Sequence, residues 1–226
     1  VLASVLAGLA VAGAMGGIAP QQAMAGVDTG NSHVNIWAET SPKSNGQNYN
    51  VGQNSIVVGY QNTTDNVAGH DGKVAIGAKN TSTNNASTAV GNENKATGGA
   101  ATAVGAGNTA SGKASVALGN VNNADAKAAI AIGTYNNVNY TKGSWQTTPK
   151  YAGEYSTVVG NYSSATGTSA SAMGVYTNAT GAGSFAAGYN NNAKGQNSVA
   201  IGSENTSHVA DTVTLGQFNN AKTMGG

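Results

Sequence analysis

The chain has 226 residues, a formal net charge of +1 and only 8% charged residues, with 33 Gly, 6% aromatics and no Cys. This excludes a disulfide framework and a thiol nucleophile. Ten Lys, no Arg and nine acids leave no electrostatic footprint for nucleic acid.

Residues 1–25 read as a partial signal peptide. Val1 to Ala19 is apolar and rich in small residues, and Ala23-Met24-Ala25 fits the small-x-small rule for cleavage before Gly26. A transmembrane helix is the alternative; the Gly content and the cleavage-like end favour export. The start without Met or a basic segment reads as a piece of a longer chain. Residues 26–53, with Trp37 and Tyr49, are expected to form an N-terminal cap on the periodic region, since the ends of a solenoid need covering.

From residue 54 the sequence is periodic. A Gly closes an apolar triplet at positions 59, 77, 91, 105, 119, 133, 160, 174, 188, 202 and 216. Eight of the ten intervals are 14 residues; the other two, 18 and 27, read as insertions of four and thirteen. The position before each Gly is apolar: Val58, Ile76, Val90, Val104, Leu118, Ile132, Val159, Met173, Ala187, Ile201 and Leu215. Three before Gly stand further β-formers such as Ile56, Val74, Val116 and Ile130, while two and four before it stand Ala and Ser. The alternation predicts a strand with one Val/Ile face and one face of small residues. Neither face is charged, apart from Lys73, so the strand is expected to be buried on both sides. After each Gly a second strand alternates small with polar, as in Asn94, Ala96 and Gly98 against Lys95 and Thr97.

Fourteen residues per coil predict an all-β parallel solenoid of about eleven rungs, with rungs about 4.8 Å apart. So narrow a lumen admits only Ala, Ser and Gly. Ordering a rung costs about 1–2 kcal/mol per residue in backbone entropy. One buried Val or Ile returns only about 1.5–3 kcal/mol. Rungs must therefore share stability through stacking, and the Val/Ile face needs a cover. Identical faces of neighbouring chains around a symmetry axis supply one. The residues before Gly, from Val58 to Leu215 apart from Ala187, are thus the candidate packing core between neighbouring chains.

Residues 134–155, "TYNNVNYTKGSWQTTPKYAGEY", interrupt the ladder and hold four of the nine Tyr and one of the two Trp. Tyr135, Tyr140, Lys142, Trp145, Lys150, Tyr151 and Tyr155 are candidates either for a receptor contact or for a clasp on a neighbouring chain.

The segments "NSIVVG", "STAVG", "SVALG", "STVVG" and "NSVAIG", each followed by an Ala and often "ATG" or "ASG", resemble the head repeats of trimeric autotransporter adhesins, the YadA-like heads. The resemblance covers residues 54–216. It implies a left-handed parallel β-roll, a homotrimer and display at the bacterial cell surface by way of the outer membrane. It also implies adhesion to extracellular matrix (collagen-like), to host cells or to other bacteria. The membrane would be reached only through a C-terminal anchor beyond this chain. In that frame residues 54–220 form the head, and residues 221–226 begin a neck and stalk.

No catalytic constellation or cofactor motif is visible. His33, His70 and His208 lie far apart in the chain and lack metal-ligand spacing. Asn-x-Ser/Thr triplets such as those at Asn62 and Asn80 follow from the Asn- and Thr-rich composition. An ice-binding or purely structural solenoid is the alternative reading. The ice-binding form needs a Thr-x-Thr ladder, and the exposed pairs mix Lys, Asn, Thr, Ser and Asp. A left-handed-helix acyltransferase would show a period of six and a catalytic His, and neither is present.

Overall fold

The computed structural model describes residues 23–28, 33–38, 54–65, 71–137 and 153–222. They form twenty-three strands, β1–β23 in chain order, and no helix. Five-residue strands alternate with two-residue strands. The long ones run from β3 (Ile56–Tyr60) to β22 (Val213–Gln217), stack in parallel and build one sheet over about ten turns. Within it each Gly lies beside the next Gly, as Gly91 does beside Gly105. The short strands form two five-stranded sheets that meet at the 134–155 insertion. The insertion leaves the long sheet unbroken, since β13 (Ile130–Thr134) pairs directly with β14 (Thr157–Asn161) in full register. At the other end β1 (Ala23–Asp28) pairs antiparallel with β2 (His33–Ala38), and β2 joins β3 in parallel. The signal-peptide residues before Ala23, and Tyr49 of the expected cap, lie outside the described residues.

A single rung shows why these residues make this coil. From Ser87 the chain alternates inward and outward: Ser87 and Ala89 are fully buried in the lumen, while Thr88 and Val90 point out half-buried. Gly91 faces inward at φ +119°, and a Cβ there would lie 2.0 Å from the Gly105 carbonyl oxygen of the next rung. No side chain fits that approach. Glu93 then turns the corner in the left-handed region, at φ 55°. Asn94 and Ala96 are buried, Lys95 is exposed, and Ala100 turns the chain back at φ 56°.

The corners are not built mainly on Gly and Asn, the residues that most readily take the left-handed conformation. Most left-handed corner residues are neither: Lys79, Glu93, Val121 and Tyr135 occupy one column, and Ala86, Ala100 and Ala128 another. Each such residue costs about 1–2 kcal/mol relative to its ordinary conformation. In return its N–H reaches a carbonyl of the preceding rung, as Glu93 N–H does to Ala78 O at 2.9 Å. Stacking therefore dictates the corner conformation.

The lumen also holds a ladder of amides, formed by the Asn three positions after the rung Gly. Asn94 donates from Nδ2 to Val90 O at 2.9 Å and to Gly105 O at 2.7 Å. Its Oδ1 accepts from Asn108 N–H and Asn108 Nδ2, both at 3.0 Å. The amide thus closes its own corner and hands the bond to the next rung. The same column runs through Asn62, Asn80, Asn122 and Asn136, and resumes at Asn191 and Asn205. Ser163 and Thr177 replace Asn in the two rungs after the insertion, with fewer bonds. Among the described residues one cation enters the lumen: Lys73 occupies a Ser/Ala position, fully buried, 3.3 Å from the Asp65 carboxylate.

Candidate binding surfaces

The long sheet presents its Val/Ile columns on the outside of the coil. Within one chain this face is not closed, in contrast to the burial on both sides that the missing charge implied. Val58, Val90, Val104, Leu118, Ile132 and Val159 are half-buried, and Ile76 and Ile201 are each 37% exposed. Met173 and Leu215 are exposed too. The physical reason is local. A side chain on a pleated strand touches only its neighbours above and below in its own column, and the lumen residues turn away from it. The result is an apolar stripe running the length of the roll.

A second surface sits where the insertion leaves the coil. Tyr135, Tyr162 and Tyr176 each follow a rung Gly by two residues and occupy the same left-handed corner column. Tyr135 stacks on Tyr162 with centroids 5.0 Å apart and planes within 6°, and Tyr162 stacks on Tyr176 at 5.4 Å. Tyr189 meets Tyr176 edge-on at 6.2 Å. All four rings are about half exposed. Beside them opens a groove of about 790 Å³, lined also by Asn123, Asn137 and Asn178 from the short-strand side. Asn137 bridges Asn123 on one side and Ser164 on the other, and so links the two short-strand sheets.

Of the residues singled out in the insertion, Tyr135 belongs to this ladder. Tyr155 stands at the other corner of the coil, in the turn before β14, where Lys127 lies 5.3 Å from its ring centroid. The Tyr155 hydroxyl, by hydrogen bonding and then by its charge, raises the Lys127 ammonium above its ordinary pKa. The structure therefore puts Tyr135 and Tyr155 in different places. Tyr140, Lys142, Trp145, Lys150 and Tyr151 lie outside the described residues, as does His70. Sequence reasoning missed Tyr162, Tyr176 and Tyr189. Their signal was columnar: aligned on the rung Gly, three Tyr fall at one position in successive rungs.

Among the described residues no group of His, Cys, Asp or Glu is placed to hold a metal ion. The outward positions of the short strands mix Thr, Lys, Asn and Ser, as at Thr81, Lys95, Thr109, Asn123 and Ser164, without a continuous Thr ladder.

The YadA head domain repeat matches residues 96–122, 110–136, 152–177 and 179–205. No curated protein matches the chain. The described roll extends beyond the matched residues in unchanged register, back to Gly59 and on to Gly216. The fourteen-residue coil, the parallel long sheet and this match place the chain among the YadA-like heads of trimeric autotransporter adhesins, surface-exposed proteins whose heads are generally trimeric.

Proposed function

We propose that the chain is a non-enzymatic adhesin head, exported to the bacterial cell surface, in which three left-handed rolls pack their apolar stripes around a common axis. The stripe carries this reading. The lumen is already filled by Ala, Ser and Asn, so the Val/Ile columns have no cover within one chain. A stripe of this length left in water is a liability unless another surface meets it. Threefold symmetry supplies three identical copies of any outer site, and multivalency raises avidity by about 10²–10⁴ over one weak contact. Extracellular matrix of the collagen type, host cells and other bacteria are the targets proposed. The insertion at 134–155 serves there as a receptor contact, a clasp on the neighbouring chain, or both.

Adhesion of beads coated with the chain tests this. The native chain should retain beads on a collagen-coated surface, on cultured epithelial cells or on bacteria. Beads carrying Val104→Lys, which puts a charge into the stripe, should be released. Equal retention of both, or retention of neither on all three surfaces, would overturn the reading.

A further inference from the structure

The apolar stripe consists of two outward columns of the long sheet, three residues and one residue before the rung Gly. Most of its positions hold Val, Ile, Leu or Thr, so it says little about how two copies align. Slid past each other by one rung, two such stripes would make almost the same contacts. A register left so loose needs an element that penalises the wrong alignments. One rung supplies it. Phe185 is the largest side chain of the two columns, and Ala187, on the same strand, is the smallest of the column before Gly. We infer that Phe185 of one copy seats in the gap over Ala187 of the next, and that this knob and hole fix the rung-for-rung register of the assembly. The inference rests on the trimer reading above and gives its interface a register-determining pair.

Three observations carry it. The first is the gap. Ala187 pairs with Met173 on the preceding rung and with Ile201 on the following one. With rungs about 4.8 Å apart, these flanks stand about 9.6 Å from each other. An aromatic ring between two carbon surfaces needs about 7 Å, two contacts of about 3.5 Å each. The second is that one chain leaves this gap open. Met173 is 46% exposed, more than any other described member of its column short of the terminal Leu215, and Ile201 is exposed as well. Phe185 stands in the neighbouring column, between Ser171 and Val199. The third is the preceding rung, where the sizes are reversed: Ser171 is small and Met173 long. Around a threefold axis parallel to the roll, equal rungs lie at one level and unlike sides of adjacent copies meet. Phe185 then faces Ala187, and Ser171 faces Met173, each large side chain against a small one. A slip of one rung puts Phe185 against Met173 or Ile201, and the contact is overfilled.

Refolding an equimolar mixture of two mass-tagged full-length variants, Phe185→Ala and Ala187→Phe, tests this by native mass spectrometry. Both side chains lie outside the lumen, which Ala186 faces, so each variant should keep the native circular dichroism spectrum. Where Ala187→Phe does not fold, Ala187→Leu takes its place, since Leu118 holds the same column. Alone, each variant should need about tenfold more protein than the native chain to form trimers. Mixed, trimers that hold both chains should exceed statistical proportions by about fivefold or more, because two of their three contacts then set a large side chain against Ala. The double variant Phe185→Ala with Ala187→Phe should trimerise close to the native chain, since knob and hole have only exchanged columns. Statistical mixing would mean that the two residues compensate within one chain. A double variant as weak as the single ones would mean that each column meets only its own copies. Either result overturns the inference and leaves the trimer reading standing, whereas a native chain that stays monomeric overturns both.

Discussion

At the scale of single residues, two glycines two positions apart show which part of the repeat is fixed by sterics. Gly105 has φ +121°, and a Cβ would stand 2.0 Å from Gly119 O, a backbone atom that cannot yield. Gly107 has φ +64°, with its nearest neighbour a Val121 methyl at 3.4 Å, in a column that elsewhere accepts Lys, Glu and Tyr. Gly105→Ala should abolish cooperative unfolding of the roll. For Gly107→Ala the urea-derived stability should change by no more than about 1 kcal/mol, since the left-handed cost is offset by reduced freedom of the unfolded chain. The buried amides make a similar contrast. Asn94→Ala removes three donated and two accepted bonds and strands the Val90 and Gly105 carbonyls. A loss of about 3 kcal/mol or more is expected in urea denaturation. Ser163→Asn works in the other direction. It fills a gap in the column next to Asn136, whose Oδ1 already accepts from Ser163 N–H at 3.0 Å. It should raise stability by about 1 kcal/mol, the gain typical of one added hydrogen bond.

At the scale of elements, the insertion tests whether the long sheet is autonomous. Ile130 pairs with Thr157, and Gly133 with Gly160, across the interruption, so every ladder partner is in place without the intervening residues. Replacing residues 138–152 with Ala-Thr, the pair that follows Lys95 in a regular rung, should leave the circular dichroism spectrum and the unfolding midpoint close to native. A collapse of the midpoint would mean that the insertion holds the rungs together. Much of this level was legible in the sequence. The strict fourteen-residue spacing of Gly, and the alternation of Val/Ile with Ala/Ser, state which side of the long strand is lumen. The amide column was not legible as a ladder. Asn94 and its counterparts read only as the first small position of the second strand, and only the stacking distance reveals that one amide spans two rungs. The tyrosine ladder escaped for a related reason. Its members are separated in sequence by 27 and 14 residues, and only registration on the rung Gly brings them together. Lys73 was visible as the one charge in the strand pattern, but its carboxylate partner Asp65 comes from the preceding rung.

At the scale of the whole molecule, one chain satisfies its lumen and leaves its outer stripe open. Ala, Ser and Asn fill most of the lumen, with Val57, Lys73 and Val158 among its few larger members. The Val, Ile and Leu side chains that would carry most of the hydrophobic stabilisation stand outside it. A coil built this way gains that stabilisation only when stripes meet. The most direct test of the central claim is the solution mass of the chain by light scattering, alone and with Val104→Lys. Burial of the stripes among three copies requires a mass of three times the 22.2 kDa chain, reduced to one chain by Val104→Lys, because an unpaired charge in that contact is costly. A folded native monomer at all concentrations would contradict the account, and so would a trimer that the lysine leaves intact.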